Sequence, residues 1–146
     1  MNSALLPATT SQCRILIVDD CATSRMLEGF ILRRGGYEIL SASDGDEALK
    51  LAVDAAPDIV LLDLKMPGVD GLEVLKQFKR WACTREIPVI VVTSSGDPDA
   101  RAEAAQSGCD GFLTKPVDAQ ALLRAVEETS ARRACAPRLS KPRPQD

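Results

Sequence analysis

Short runs of aliphatic residues alternate along this chain with longer stretches in which apolar residues recur at helical spacing. The first run, residues 15–18, contains no polar side chain, which is typical of a strand covered on both faces. Further runs of the same kind follow along the chain. The five predicted strands are residues 15–18, 37–42, 59–62, 89–92 and 111–113.

A helix is predicted after each strand. In the first helix Leu27, Phe30 and Ile31 recur at helical spacing, and the pair Gly35-Gly36 ends it. The other four helices are predicted over residues 46–55, from residue 70, over residues 98–107 and from residue 118.

Two of these helices carry start signals. Asp70 is an N-cap candidate followed three positions later by Glu73, which resembles a capping box, and Asp118 is expected to cap the last helix. The predicted apolar stripes are Leu72, Leu75 and Phe78 in the third helix and Leu122, Leu123 and Val126 in the fifth.

Strict alternation of five strands with five helices predicts a single doubly wound α/β domain. Its sheet should be parallel, with right-handed crossovers and helices on both faces. We expect the domain to span residues 13–130. Residues 1–12 and 131–146 lie outside the alternation and are predicted to be flexible ends.

Composition adds three constraints. The chain has only five aromatic residues, so the core must be aliphatic, and its net charge of −3 argues against nucleic acid as a direct partner. Residues 131–146 are nevertheless basic and carry three prolines, which favours a flexible segment over a helix. This segment could bind an acidic partner or fold back on the acidic body.

The sequence also predicts the compartment. It has five scattered cysteines, no histidine, no signal peptide at its start and no apolar run long enough to cross a membrane. We therefore expect a cytoplasmic protein with reduced thiols and no membrane insertion.

Four predicted strands are followed directly by residues that carry carboxylate, hydroxyl or ammonium groups. In open parallel sheets, ligands bind beyond the carboxyl ends of the strands. We therefore expect these side chains to converge on one site. They are Asp19 and Asp20 after the first strand, Asp63 after the third, Thr93 and Ser94 after the fourth, and Lys115 after the fifth.

Such a site can bind a cation and promote phosphoryl transfer. Crowded carboxylates repel one another, and an all-oxygen site with few protein ligands suits Mg²⁺, with Mn²⁺ as the alternative. A carboxylate can attack phosphorus if positive charge lies where negative charge builds up. A cation held by Asp20 and Asp63 would provide that charge on one side and the Lys115 ammonium on the other, while Thr93 can donate a hydrogen bond.

The motifs resemble the receiver domain of two-component response regulators, over roughly residues 13–130. This resemblance implies a flavodoxin-like sheet with strand order 2-1-3-4-5 and a cis Lys115–Pro116 peptide bond. The matching segments are ILIVDD (residues 15–20), LLDLKMPGVDG (residues 61–71), VVTS (residues 91–94) and GFLTKP (residues 111–116).

The resemblance also implies a role for each matching residue. Asp63 is the phosphoacceptor and Lys115 pairs with the phosphoryl group, while Thr93 and Phe112 form a switch that changes the surface of the fourth helix, fifth strand and fifth helix. The expected Mg²⁺ ligands are Asp19, Asp20, Asp63 and the main-chain carbonyl of Lys65.

A receiver of this kind is not a turnover enzyme, since it catalyses only its own phosphorylation and dephosphorylation. We expect a stand-alone regulator, monomeric or weakly dimeric, that takes its phosphoryl group from a histidine kinase or histidine phosphotransfer protein and acts on a protein effector.

Three alternatives remain: a phosphatase of the haloacid-dehalogenase type, a flavodoxin-like flavin carrier, and a binding module that works without phosphorylation. The adjacent pair Asp19-Asp20 argues against the first two, because the phosphatase requires Asp-x-Asp after the first strand and the carrier a phosphate loop. The complete acceptor set argues against the third.

Overall fold

The computed structural model describes residues 13–66, 68–94 and 98–134. The strands of its main sheet form where the aliphatic runs predict them. The three central strands are buried and rich in Val, Ile and Leu, whereas the two edge strands are partly exposed. The strands are β1 (Arg14–Val18), β2 (Glu38–Ala42), β3 (Ile59–Leu62), β4 (Val89–Thr93) and β5 (Gly111–Thr114).

A helix follows each strand, as predicted. Asp44 accepts a hydrogen bond from the backbone N–H of Glu47, Asp70 accepts one from Leu72, and Asp118 accepts one from Ala121. These contacts satisfy N–H groups in the first turns of three helices. The helices are α1 (Ala22–Arg34), α2 (Gly45–Ala55), α3 (Gly71–Arg80), α4 (Pro98–Gln106) and α5 (Ala119–Ala134).

The main sheet is parallel, and its strand order is β2-β1-β3-β4-β5, which confirms the predicted doubly wound fold. In the register, Val18 lies opposite both Ala42 and Leu62, and Thr93 lies opposite Thr114. The carboxyl ends of all five strands therefore meet at one edge. A separate antiparallel pair, Lys65–Met66 with Val69–Asp70, lies between β3 and α3.

Two aliphatic cores cover the two faces of the sheet. One packs α1 and α5 against the sheet through Leu32, Leu122 and Val126, and the other packs α2, α3 and α4 against the opposite face. Phe78 is the largest side chain that is fully buried, so the core is aliphatic apart from this ring. None of the described helices combines the length and apolar character that a membrane crossing requires.

Of the three apolar residues that define the period of helix α1, only Ile31 packs against the core. Leu27 and Phe30 are more than half exposed, and Glu28, Gly29 and Leu32 are the buried residues of this helix. Gly29 lies next to β2, where an added Cβ atom would make an ordinary contact of 3.8 Å with Ile39. The helix therefore packs on the sheet through the face that carries Gly29 and Leu32.

Helix α5 continues to Ala134, four residues beyond the predicted end of the domain at residue 130. The prediction of a flexible tail from residue 131 is therefore wrong for residues 131–134. Their sequence, Ala-Arg-Arg-Ala, consists of strong helix formers, and cations are favourable at a helix C-terminus. The remaining predicted ends, residues 1–12 and 135–146, lie outside the described residues.

Candidate functional site

The two acidic residues that follow β1 and β3 are held at the carboxyl edge of the sheet by backbone hydrogen bonds. The N–H of Asp19 donates to Ala42 O at 3.1 Å, and the N–H of Asp63 donates to Val18 O at 3.0 Å. These bonds continue the parallel ladders by one residue. Asp19 and Asp63 are consequently buried, while Asp20 is exposed at the rim.

Lys115 connects the far edge of the sheet to these carboxylates. Its Nζ donates to Asp19 Oδ2 at 2.6 Å and to Asp63 Oδ2 at 3.2 Å. It also lies 3.4 Å from the hydroxyl oxygen of Ser24 in α1. The backbone N–H of Lys115 donates to Thr93 O at 2.9 Å, and the peptide bond to the following proline, Pro116, is cis, as expected.

The three carboxylates are arranged as a cation site requires. Asp19, Asp20 and Asp63 each offer one carboxylate oxygen, and these oxygens lie within 4.8 Å of one another. A set of hard oxygen donors, two buried and one exposed, fits Mg²⁺, which binds through few carboxylates and keeps several waters. The residues present therefore fit the expected ion.

Lys65 lies next to this set. Its backbone N–H donates to Asp63 Oδ1 at 2.9 Å, and its side chain points to solvent. The role of its carbonyl oxygen as a further metal ligand stays a prediction.

Burial and charge set the protonation of the site. Burial raises the pKa of Asp63 above its ordinary value, although the Lys65 N–H and the Lys115 ammonium partly oppose this effect. Burial alone would lower the pKa of Lys115, but its bonds to Asp19 and Asp63 together raise it. Lys115 therefore stays protonated at neutral pH and holds its charge beside the carboxylates.

The two expected switch residues lie on neighbouring strands. Thr93 is fully buried at the end of β4 and pairs with Thr114 of β5. Phe112, two residues before Thr114, is half-buried. The guanidinium carbon of Arg101 in α4 lies 5.1 Å from the centre of the Phe112 ring. The structure thus brings Asp19, Asp20, Asp63 and Lys115 together, joins Thr93 to them through the Lys115 backbone, and places Phe112 beneath α4.

Three residues of α1 near the site were not predicted from the sequence. Besides Ser24, they are Arg25, whose guanidinium donates to Asp19 O at 2.6 Å, and Glu28, which is buried. The sequence does contain a signal for Glu28, because it is the single acid in the apolar stretch from Met26 to Leu32. Ser24 and Glu28 are four residues apart and share one helix face.

Comparison with known proteins agrees with this arrangement. The family model described as the response regulator receiver domain matches residues 15–127. The chain is 36% identical over 118 residues to Protein PilH of Pseudomonas aeruginosa, covering 81% of this chain and 98% of that protein. A putative response regulator from Chloroflexus aurantiacus superimposes with a TM-score of 0.80 at 32% identity, covering 84% of this chain and 100% of that one.

Longer proteins match as well. The chain is 35% identical over 119 residues to the phosphate regulon transcriptional regulatory protein PhoB of Klebsiella pneumoniae. This match covers 82% of the chain but 52% of that protein, so the chain spans about half the length of this relative.

Proposed function

Because this chain belongs to the response regulator receiver domain family, whose members are signalling domains, we propose that Asp63 accepts a phosphoryl group in a Mg²⁺-dependent phosphorelay. The donor is a histidine kinase or a histidine phosphotransfer protein. The observation that carries this proposal is the convergence of Asp19, Asp63 and Lys115 at one edge of the sheet.

The residues divide the reaction between them. An Asp63 carboxylate oxygen forms the new bond to phosphorus while the P–N bond to the donor imidazole breaks and its electron pair stays on that nitrogen. The Lys115 ammonium, already within 3.2 Å of Asp63 Oδ2, stabilises the negative charge of the transferring group. When bound by Asp19, Asp20, Asp63 and the Lys65 carbonyl, Mg²⁺ (or Mn²⁺) would supply positive charge on the other side.

Phosphorylation then changes the protein surface. The modification adds nearly two negative charges and strong acceptor oxygens beside Thr93. A Thr93 hydroxyl that moves towards these oxygens leaves space for the Phe112 ring. The α4–β5–α5 surface, which carries Arg101 against this ring, changes shape and alters the binding of a protein effector.

Acetyl phosphate, a small phosphoryl donor, tests this chemistry directly. We expect a hydroxylamine-labile adduct on Asp63 in the presence of Mg²⁺ or Mn²⁺, and none in EDTA. Asp63→Asn should abolish it, whereas Asp54→Asn, which changes an exposed acid of α2, should leave it intact. A label that persists in Asp63→Asn rules out the assignment, and sustained hydrolysis of a phosphomonoester would favour the phosphatase alternative.

The donor protein must contact a surface beside Asp63, and α1 offers an apolar one. Met26, Leu27 and Phe30 are 72%, 53% and 59% exposed, and we call these three residues the α1 apolar face. Helix α1 begins at Ala22, two residues after Asp20, and Met26 lies about 6 Å further along the helix axis than Ala22. We propose that this face binds the phosphodonor protein.

A comparison of large and small donors tests the role of this face. Phe30→Ser should slow transfer from an autophosphorylated histidine kinase by about fivefold or more, as for a buried aromatic at an interface, and leave the reaction with acetyl phosphate unchanged. Val53→Ser is the matched control, because Val53 is 47% exposed on α2 at the opposite face of the sheet. Equal rates for Phe30→Ser and the parent chain would contradict the proposal.

We further propose that the protein acts in the cytoplasm, where histidine kinases present their phosphorylated domains. None of the four described cysteines forms a disulfide, which fits a reducing compartment.

A further inference from the structure

The chemistry assigned above does not use Glu28, the single acidic residue of α1. The Glu28 side chain is 3% exposed, and among the residues that the structure describes none donates a hydrogen bond to its carboxyl group or forms an ion pair with it. Buried polar groups are normally hydrogen-bonded, and a buried carboxylate without a partner is strongly unfavourable. A residue with this cost is expected to have a role in some other state of the protein.

The charges around Glu28 belong to the phosphoacceptor site. Burial raises its pKa to about 7, the charges of Asp19 and Asp63 act in the same direction, and the charge of Lys115 opposes them. On α1 itself, the nearest cation in sequence is Arg25, whose guanidinium is bound to the Asp19 carbonyl. Lys115 is therefore the cation that acts on Glu28.

Lys115 holds the oxygens that a cation site needs. Its ammonium contacts the Oδ2 atoms of Asp19 and Asp63, two of the three carboxylates that fit Mg²⁺. An ammonium and a divalent cation that share these carboxylates compete for them. Binding of the ion therefore requires Lys115 to weaken at least one of its two ion pairs.

The third contact of Lys115 shows where the ammonium can go. Ser24 Oγ, 3.4 Å from Lys115 Nζ, lies on the face of α1 that carries Glu28 one turn later. Residues four apart on one helix face have Cβ atoms about 5–6 Å from each other. A rotation of the flexible lysine side chain past Ser24 thus brings the ammonium towards the Glu28 carboxylate.

We propose that Glu28 is a positioning residue that gives the Lys115 ammonium a second carboxylate when Asp19 and Asp63 bind a divalent cation, and so favours binding of that cation. The inference rests on the proposed function, because it assumes that these carboxylates hold Mg²⁺. It assigns Glu28 no contact with the ion or with the phosphoryl group.

A double-mutant cycle measured by calorimetric titration with MgCl₂ tests this role. Glu28→Gln keeps the shape of the side chain and removes its charge, so Lys115 stays on Asp19 and Asp63. We expect the Mg²⁺ affinity to fall roughly threefold to tenfold, as for other directly coupled pairs. Lys115→Met removes the competitor, so it should bind Mg²⁺ more tightly than the parent chain, and adding Glu28→Gln to it should change nothing further.

Two results would overturn the inference. If Glu28→Gln lowers the affinity by the same factor with and without Lys115, Glu28 acts as a remote negative charge and not through the lysine. If Glu28→Gln does not change the affinity, it has no part in cation binding. Glu28→Leu, which removes the buried acid and preserves an apolar core, should give the same affinities as Glu28→Gln, and thermal melts in EDTA verify folding of each variant.

The same titration separates this inference from the proposed function. If the parent chain binds Mg²⁺ but accepts no phosphoryl group from acetyl phosphate, the proposed phosphorylation of Asp63 is refuted. The double-mutant cycle of Glu28 and Lys115 can still be interpreted in that case. A parent chain that is phosphorylated and shows no coupling between Glu28 and Lys115 would refute the inference alone.

Discussion

The guanidinium of Arg101 lies over the ring of Phe112, with 5.1 Å between the guanidinium carbon and the ring centre. Such a contact contributes about 0.5–1 kcal/mol at an exposed site. It therefore stabilises the half-buried position of the ring, which the proposed switch of Thr93 and Phe112 would change. We predict that Arg101→Gln shifts the resting equilibrium of Phe112 towards its phosphorylated position by roughly twofold to fivefold.

Fluorine NMR of fluorophenylalanine-labelled protein measures this shift, because the chain has only three phenylalanines. In Arg101→Gln without phosphorylation, the Phe112 signal should move towards its position in the phosphorylated parent. Arg34→Gln is the matched control, since Arg34 lies 5.6 Å from the ring centre of Phe30 in α1. It should move the Phe30 signal only. If Arg101→Gln leaves the Phe112 signal unshifted, the contact does not restrain the ring.

Glu28 should make the metal-free protein less stable as pH rises. Its pKa is about 7 in the fold against an ordinary 4.5, so folding opposes its ionisation. Below about pH 4.5 the group is neutral in both states and has no effect, and the loss grows up to about pH 7, where it approaches roughly 3 kcal/mol. Glu28→Gln in EDTA should therefore gain stability over the parent between pH 5 and pH 8. Urea unfolding at both pH values measures the gain, and a pH-independent difference would contradict it.

The effect of Asp63 on the stability of the fold should have opposite signs with and without Mg²⁺. Burial raises its pKa, so at neutral pH the ionised group costs stability in the metal-free fold, despite its contact with Lys115. Asp63→Asn is thus expected to melt above the parent chain in EDTA, with the difference shrinking as pH falls through the raised pKa. Mg²⁺ at 100 times its Kd stabilises a protein by about 2.7 kcal/mol, so the ion should reverse the order. An unchanged order in Mg²⁺ would show that Asp63 is not a ligand.

The sequence predicts the convergence of the site because the fold leaves little freedom there. Aliphatic runs covered on both faces imply a parallel sheet, and in such a sheet the residues after β1, β3 and β5 must lie at one edge. Asp19, Asp63 and Lys115 accordingly meet as expected. Which carboxylate the lysine prefers depends on side-chain geometry, so its shorter distance to Asp19 is visible only in the structure.

Hydrophobic periodicity does not predict which side of α1 faces the sheet. Apolar residues at positions 26, 27, 30, 31 and 32 cover a face broader than the strip that the sheet can bury. The helix buries the edge of that face that contains Leu32, together with Gly29 and Glu28, and leaves Leu27 and Phe30 exposed. A buried acid contradicts the usual rule that apolar residues fill the core, and such exceptions are found at functional sites.

The start of α3 gives the last prediction, because Gly71 packs against the backbone of Asp63, the proposed phosphoacceptor. A Cβ atom at Gly71 would lie 2.4 Å from Leu64 Cα and 2.8 Å from Asp63 O, closer than folded proteins allow. Gly71→Ala must therefore displace the main chain at Asp63 or α3 itself, and we expect a loss of roughly 1–3 kcal/mol in stability together with slower phosphorylation by acetyl phosphate. Gly29→Ala is the control, since its Cβ would make ordinary contacts of 3.6 Å or more in a helix interior and should add about 0.5–1 kcal/mol. Urea unfolding and the acetyl phosphate reaction measure both variants, and a Gly71→Ala protein phosphorylated at the parent rate would show that this close approach does not position Asp63.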